Sequence, residues 1–147
     1  MTGTLDPAEI LAIQWDCEQL IRRYALLNDL EQHEAVAALF TEDAAFARPS
    51  DPDKRIVGRD AILAMFRGRK SRLGRHFISN SVITVDSADA ASAVSYVILY
   101  VASQTAEPGK LPKADPGHAI GAFHDRFVRT GEGWRFAERI GSMVMTT

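Results

Sequence analysis

The side chains of this sequence that can exchange protons or bind metals near neutral pH are few in kind. There are 4 histidines, 19 carboxylates and 1 cysteine, Cys17. A histidine ring titrates at about 6.5, so it can take and return a proton near neutrality. It does so best when a carboxylate fixes its tautomer and steadies its cation. By pattern alone, His76 reads as an ordinary strand-end histidine, and Asp29 as the cap of the helix that follows it. His118, His124 and Asp125 invite a metal reading. Strand alternation sends His124 and Asp125 to opposite faces, however, and no spacing here matches a metal motif. No dinucleotide-binding glycine fingerprint follows a strand, and there is no nucleophile elbow. The expectation is a protein without a bound metal or cofactor. Arg67, Arg69, Lys70, Arg72 and Arg75 form a basic run that reads as a solvated face. Its functional alternative is a receiver for phosphates, such as those of a coenzyme A thioester. The run has no interleaved aromatics of the kind that grip single-stranded nucleic acid.

These groups need elements to position them. Asp6-Pro7-Ala8-Glu9 is a capping box with proline at the first helical position. Ile10, Ile13, Cys17, Leu20, Ile21, Tyr24 and Leu27 then recur at three- and four-residue steps, one apolar stripe of a long helix. Cys17 on that stripe is a core residue. Tyr24 is inward whatever its role, and a buried tyrosine hydroxyl usually finds a partner. A second helix is predicted from about Glu31 to Phe40, a short strand over Ala44 to Arg48, and polar loop from Pro49 through Lys54. Gly58-Arg59-Asp60 opens a third helix with Ile62, Leu63, Met65 and Phe66 inward. Phe77 to Val85, Ala90 to Ala102, His118 to Arg129 and Trp134 to Val144 are β-branched and aromatic, and read as long strands. Gly131-Glu132-Gly133 is a tight hairpin. Thr105 to Gly117 is a long loop carrying Pro108, Pro112 and Pro116. Strict alternation puts Arg139 with Arg135 and Ala137, away from Trp134, Phe136 and Ile140.

Helices first and strands afterwards predict an α+β fold, with helices on one face of a mostly antiparallel sheet. Four long strands and three helices can curl into a cone around an apolar cavity, a favourable seat for a small organic ligand. The 147 residues suffice for one domain. A formal net charge of −2 provides no field to attract nucleic acid. No apolar stretch is long enough to span a bilayer, and the first residues lack a leader's basic and apolar runs. With a single cysteine, the default is a soluble cytoplasmic protein. Val97, Leu99 and Val101 alternate with Tyr96, Ile98 and Tyr100, so both faces of that strand are apolar. The outer face is therefore expected to be buried in a homo-oligomer.

Several stretches resemble SnoaL-like domains of the nuclear-transport-factor-2-like superfamily. They are Arg23-Tyr24-Ala25-Leu26-Leu27-Asn28-Asp29, Leu39-Phe40-Thr41-Glu42-Asp43-Ala44, Gly58-Arg59-Asp60-Ala61-Ile62, Arg75-His76-Phe77-Ile78-Ser79-Asn80, Asp125-Arg126-Phe127-Val128-Arg129 and Gly133-Trp134-Arg135-Phe136-Ala137-Glu138-Arg139. They span about residues 9 to 142 within one domain of residues 1–147. The chain is similar to scytalone dehydratase, bile-acid 7α-dehydratase and hexachlorocyclohexane dehydrochlorinase. That resemblance implies a cofactor-independent lyase, a dehydratase of a cyclic or polycyclic hydroxylated compound. It implies an aspartate–histidine pair at Asp29 and His76, a tyrosine at Tyr24 that polarises a carbonyl, and a supporting charge at Arg139. For Tyr24 to act with Asp29, the first helix would have to unwind near Asn28. Asn28 stands where scytalone dehydratase has a tyrosine, which argues against scytalone as substrate. Phe40, Phe46, Met65, Phe66, Ile78, Tyr96, His124 and Phe127 are the candidate cavity walls. The same resemblance suggests a trimer, with a dimer as the alternative. An isomerase or aldol cyclase, and a non-catalytic binding or accessory subunit, are the competing readings.

Overall fold

The computed structural model describes residues 3–147; Met1 and Thr2, which open the stretch read above as lacking a leader, lie outside it. The capping box forms as expected. Asp6 accepts a hydrogen bond from the Glu9 backbone N–H, and Glu9 accepts one from the Asp6 N–H, each at 2.9 Å. From there α1 (Pro7–Asp29) runs unbroken, burying Ile13, Cys17, Leu20, Ile21, Tyr24 and Asn28. The helix does not unwind near Asn28, and the expected unwinding proves unnecessary, because Tyr24 and His76 reach the same cavity without it.

The second helix is shorter than predicted: α2 covers only His33–Ala37. Glu31 takes a left-handed φ of 54°, which a helix interior does not tolerate. At the other end Phe40 is drawn into the sheet, where it pairs with Phe136. The first strand, β1 (Phe40–Arg48), therefore begins earlier than expected, and the polar run after it is β2 (Asp51–Val57) rather than loop. Its exposed charges and Pro52 suit a sheet edge, where unpaired backbone groups must be guarded against other strands.

The remaining elements are α3 (Arg59–Arg67), β3 (Leu73–Val85), β4 (Ala90–Ala102), β5 (Ala119–Thr130) and β6 (Gly133–Thr146). The strand order is β2-β1-β6-β5-β4-β3. All neighbours are antiparallel except β1 and β6, which are parallel. The sheet is open at β2 and β3, and it curves around the helices as an α+β cone.

Two local features set the faces. In β6 an extra residue, Ala137, sits between the pairs Arg126–Glu138 and Phe127–Phe136. A bulge of this kind reverses the alternation beyond it, so Arg139 joins Trp134 and Phe136 on the buried side. Further along, a Cβ on Gly141 would lie 2.5 Å from Pro49. Only glycine lets the β1–β2 turn rest on β6 there.

Candidate active site

Asp29 is the last residue of α1, and His76 lies on the inner face of β3. The Asp29 carboxylate accepts the His76 backbone N–H, at 3.0 Å to Oδ2, and approaches the ring Nδ1 at 2.5 Å through Oδ1. Both side chains are close to buried, at 11% exposed for His76 and 8% for Asp29. One carboxylate thus ties the helix end to the strand and holds the ring. It accepts two of its bonds from one residue, so backbone and imidazole are positioned together. A proton on Nδ1 directed at the carboxylate leaves Nε2 as the free ring nitrogen, able to act as base or acid. Asp29 does not cap α2, whose N-cap is Gln32 with no side-chain bond.

His76 lines a cavity of about 310 Å³, the lower end of the range for small-molecule sites. Its apolar wall is Phe46, Phe66, Val97, Leu99, Phe123 and Met143, with Tyr24 among them. Its polar wall is Asn28, Arg48, Ser50, Arg69 and Arg72. Tyr24 packs edge-on against Phe40, Phe66, Phe123 and Phe136. Burial raises its hydroxyl above the usual phenol range, and Arg139 and Arg69 oppose that rise. The hydroxyl therefore stays protonated and available as a donor.

Arg139 neither lines the cavity nor meets Asp29. Its side chain is fully buried and donates from Nη1 to Asp125 Oδ2 at 2.7 Å. Its guanidinium carbon lies 3.9 Å from the Phe123 ring centre, 4.3 Å from that of Tyr24 and 4.8 Å from that of Phe136. The Ala137 bulge is the reason: without it Arg139 would point to the outer face. Burial pushes the Asp125 carboxyl up to about 6, against the pull of Arg139. The pair packs behind Tyr24 and Phe123 and touches the cavity through those two rings.

Among the predicted wall residues, Phe46 and Phe66 line the cavity. Phe40 and Phe127 are buried in the aromatic core instead, and Phe127 packs on Phe136. Met65 is half-buried and takes a weak bond from Arg48 Nε at 3.3 Å. Ile78 is half-buried against the core but absent from the cavity wall. Tyr96 and His124 are corrections: both are on the outer sheet face, Tyr96 52% exposed, because each pairs in register with residues of that face. Two of the five residues of the basic run also behave differently from a solvated face. Arg67 pairs with Glu34 on the surface, whereas Arg69 and Arg72 turn to the cavity. Val97 and Leu99 could have been placed in the wall by alternation along β4 from the outward Tyr96. Arg48 carries no such signal.

A cone-shaped α+β chain with a helix-end carboxylate against a strand histidine, at the edge of a largely apolar cavity, defines a class of small-ligand proteins. Residues 9–140 match the profile of the SnoaL-like domain, and the chain belongs to that family. No curated protein matches the sequence. Among solved structures, it is similar to a proposed scytalone dehydratase from Novosphingobium aromaticivorans, with 26% identity and a TM-score of 0.79, over 97% of this chain and 91% of that one. It is similar to a proposed aromatic ring hydroxylase from the same organism, again 26% identical, with a TM-score of 0.75 over 98% of this chain and 95% of the other. A hexachlorocyclohexane dehydrochlorinase of type 2 shares the fold, with a TM-score of 0.76 over 97% of this chain and 92% of that one, at 15% identity. One architecture carries differently named activities, so reaction must be argued from the site.

Proposed function

We propose that the chain is a cofactor-independent lyase, a dehydratase acting on a cyclic or polycyclic hydroxylated compound. The observation that carries this reading is the Asp29–His76 pair at the edge of the cavity. His76 Nε2 removes the acidic C–H proton beside a substrate carbonyl. The electron pair of that C–H bond becomes the new C=C bond as the neighbouring C–O bond breaks. The imidazolium returns its proton to the departing oxygen, and water leaves. Asp29 fixes the tautomer and steadies the imidazolium, and Tyr24 donates to the carbonyl oxygen as charge develops there. Arg139 supports Tyr24 rather than the substrate. A single-domain, cytoplasmic protein assembled as a homo-oligomer, trimer or dimer, completes the reading. Its exposed Phe77, Tyr96 and Tyr100 share the outer sheet face that assembly would cover.

No carboxylate lines the cavity among the described residues, and in this reading one imidazole both takes and delivers the proton. The same economy suits an isomerase or aldol cyclase, and product analysis separates these from elimination. A purely non-catalytic subunit would be favoured by a histidine out of reach of Asp29, which is not the arrangement here.

The test uses a panel of hydroxylated cyclic ketones and the variants His76→Ala and Asp29→Asn. Asparagine still accepts the His76 backbone N–H, so the helix end stays tied while the carboxylate charge is lost. Turnover should fall by about 10²- to 10⁴-fold in each, with unchanged circular dichroism. Full activity in both variants refutes the mechanism.

A further inference from the structure

The cavity is asymmetric in charge. Arg48 at the end of β1, and Arg69 and Arg72 between α3 and β3, all face it, and no Asp or Glu does so among the described residues. Among the described residues none of the three arginines makes an ion pair with a carboxylate, although nine other ion pairs form there. Glu31, which precedes α2, accepts instead from the Ser71 hydroxyl at 2.7 Å and the Arg72 backbone N–H at 3.1 Å. Arg69 donates from Nη2 to Asn28 Oδ1 at 2.6 Å, and its guanidinium stands over the Phe66 ring at 5.3 Å. Its Nε is buried without a partner. Burial and the like charges of Arg72 and Arg48 disfavour its charge, and Tyr24 and Glu31 offset that only in part. A partly desolvated guanidinium at Arg69, with the like charges of half-buried Arg48 and exposed Arg72 facing it, costs stability that an entering anion would relieve.

We propose that Arg48, Arg69 and Arg72 form an oxyanion-group subsite, so that the ligand of this cavity is a flat ring compound bearing a carboxylate or a phosphate. This rests on the cavity being the ligand site of the proposed function, and it adds the substrate class. The anion is held at the rim by guanidinium forks, which match carboxylate and phosphate geometry. The ring lies below it against Phe46, Phe66, Phe123 and Val97. Asn28 holds Arg69 through Nη2 and leaves its Nη1 for the anion. His76 then meets a ring carbon rather than the charged group.

The test is calorimetric binding of 2-naphthoate, 2-naphthyl phosphate and the neutral isostere 2-naphthamide to the full chain. One or both anions should bind about ten- to a hundredfold tighter than the amide, with the preference shrinking as salt rises. Whichever anion wins tells carboxylate from phosphate. Arg69→Gln and the double variant Arg48→Gln/Arg72→Gln should erase the preference while retaining amide binding. His76→Gln should keep it, so an inactive dyad and an absent anion subsite give different results. Equal affinity for all three compounds, or no binding of any at millimolar concentration, overturns the proposal. So does a preference that survives the arginine variants or disappears with His76→Gln.

Discussion

The Arg139–Asp125 pair offers a sharp test of how the interior is balanced. Both side chains are 0% exposed. Replacing Asp125 with leucine keeps the volume close and removes the carboxylate that pairs with the guanidinium. Breaking a buried pair from one side typically costs about 3–5 kcal/mol, because an unpaired charge remains in a low dielectric. Here the rings of Phe123, Tyr24 and Phe136 stay against the cation. A desolvated cation–π contact contributes up to about 2 kcal/mol, so the expected cost is near the lower end, about 3 kcal/mol. For a chain of this size that lowers Tm by about 6–12 °C. Urea unfolding followed by circular dichroism measures it, with an unchanged m-value required. The double variant Asp125→Leu/Arg139→Met should recover most of the loss, since an apolar replacement of a whole buried pair is often neutral. If Asp125→Leu costs less than about 1 kcal/mol and the double variant shows no coupling, Arg139 is reaching solvent or ligand and its structural assignment is wrong.

The same pair predicts a pH signature. Asp125 is raised from 3.8 to about 6 by burial, so between those values the native chain holds a proton that the unfolded chain has released. Its contribution to stability is full below about pH 4, falls as pH rises towards 6 and then levels. Subtracting the unfolding free energy of the double variant from that of the wild type should show this downward step, and a flat or rising difference would contradict it. Cys17 is buried, and its thiol is pushed up to about 12 by that burial, with Asp16 and Asp125 adding to the effect. Iodoacetamide should leave it unmodified in the native protein at neutral pH and alkylate it in urea; rapid native alkylation is the contrary result. On the outer sheet face Phe77 pairs with Ile98, and Phe77 is 58% exposed. Phe77→Glu should shift sedimentation towards the monomer without unfolding the chain, and a wild-type monomer in dilute solution would remove the premise.

Much of this fold is written locally. The Asp6–Glu9 capping box, the stripe from Ile13 to Tyr24 and the Gly131-Glu132 hairpin depend on neighbours a few residues apart, so periodicity and turn chemistry reveal them. Family resemblance singled out Asp29 and His76, but only packing α1 against β3 brought a helix end and a strand 47 residues apart within 2.5 Å. Strand β2 was illegible because its charged, proline-containing run becomes a strand only by pairing with β1. The face taken by Arg139 was misread because one extra residue at Ala137 reverses the alternation on which the reading relied. The arginine rim was visible only in part: the basic run offered Arg69 and Arg72 as phosphate receivers, but Arg48 lies on the other side of α3 in sequence and joins them only once the sheet curves. Sequence alone revealed the long helix α1 and the four long strands, because those preferences are short-ranged, whereas β2 and the end of α2 followed from strand pairing. Which charges face inward, and what they face, depends on register and curvature, which are properties of the whole sheet.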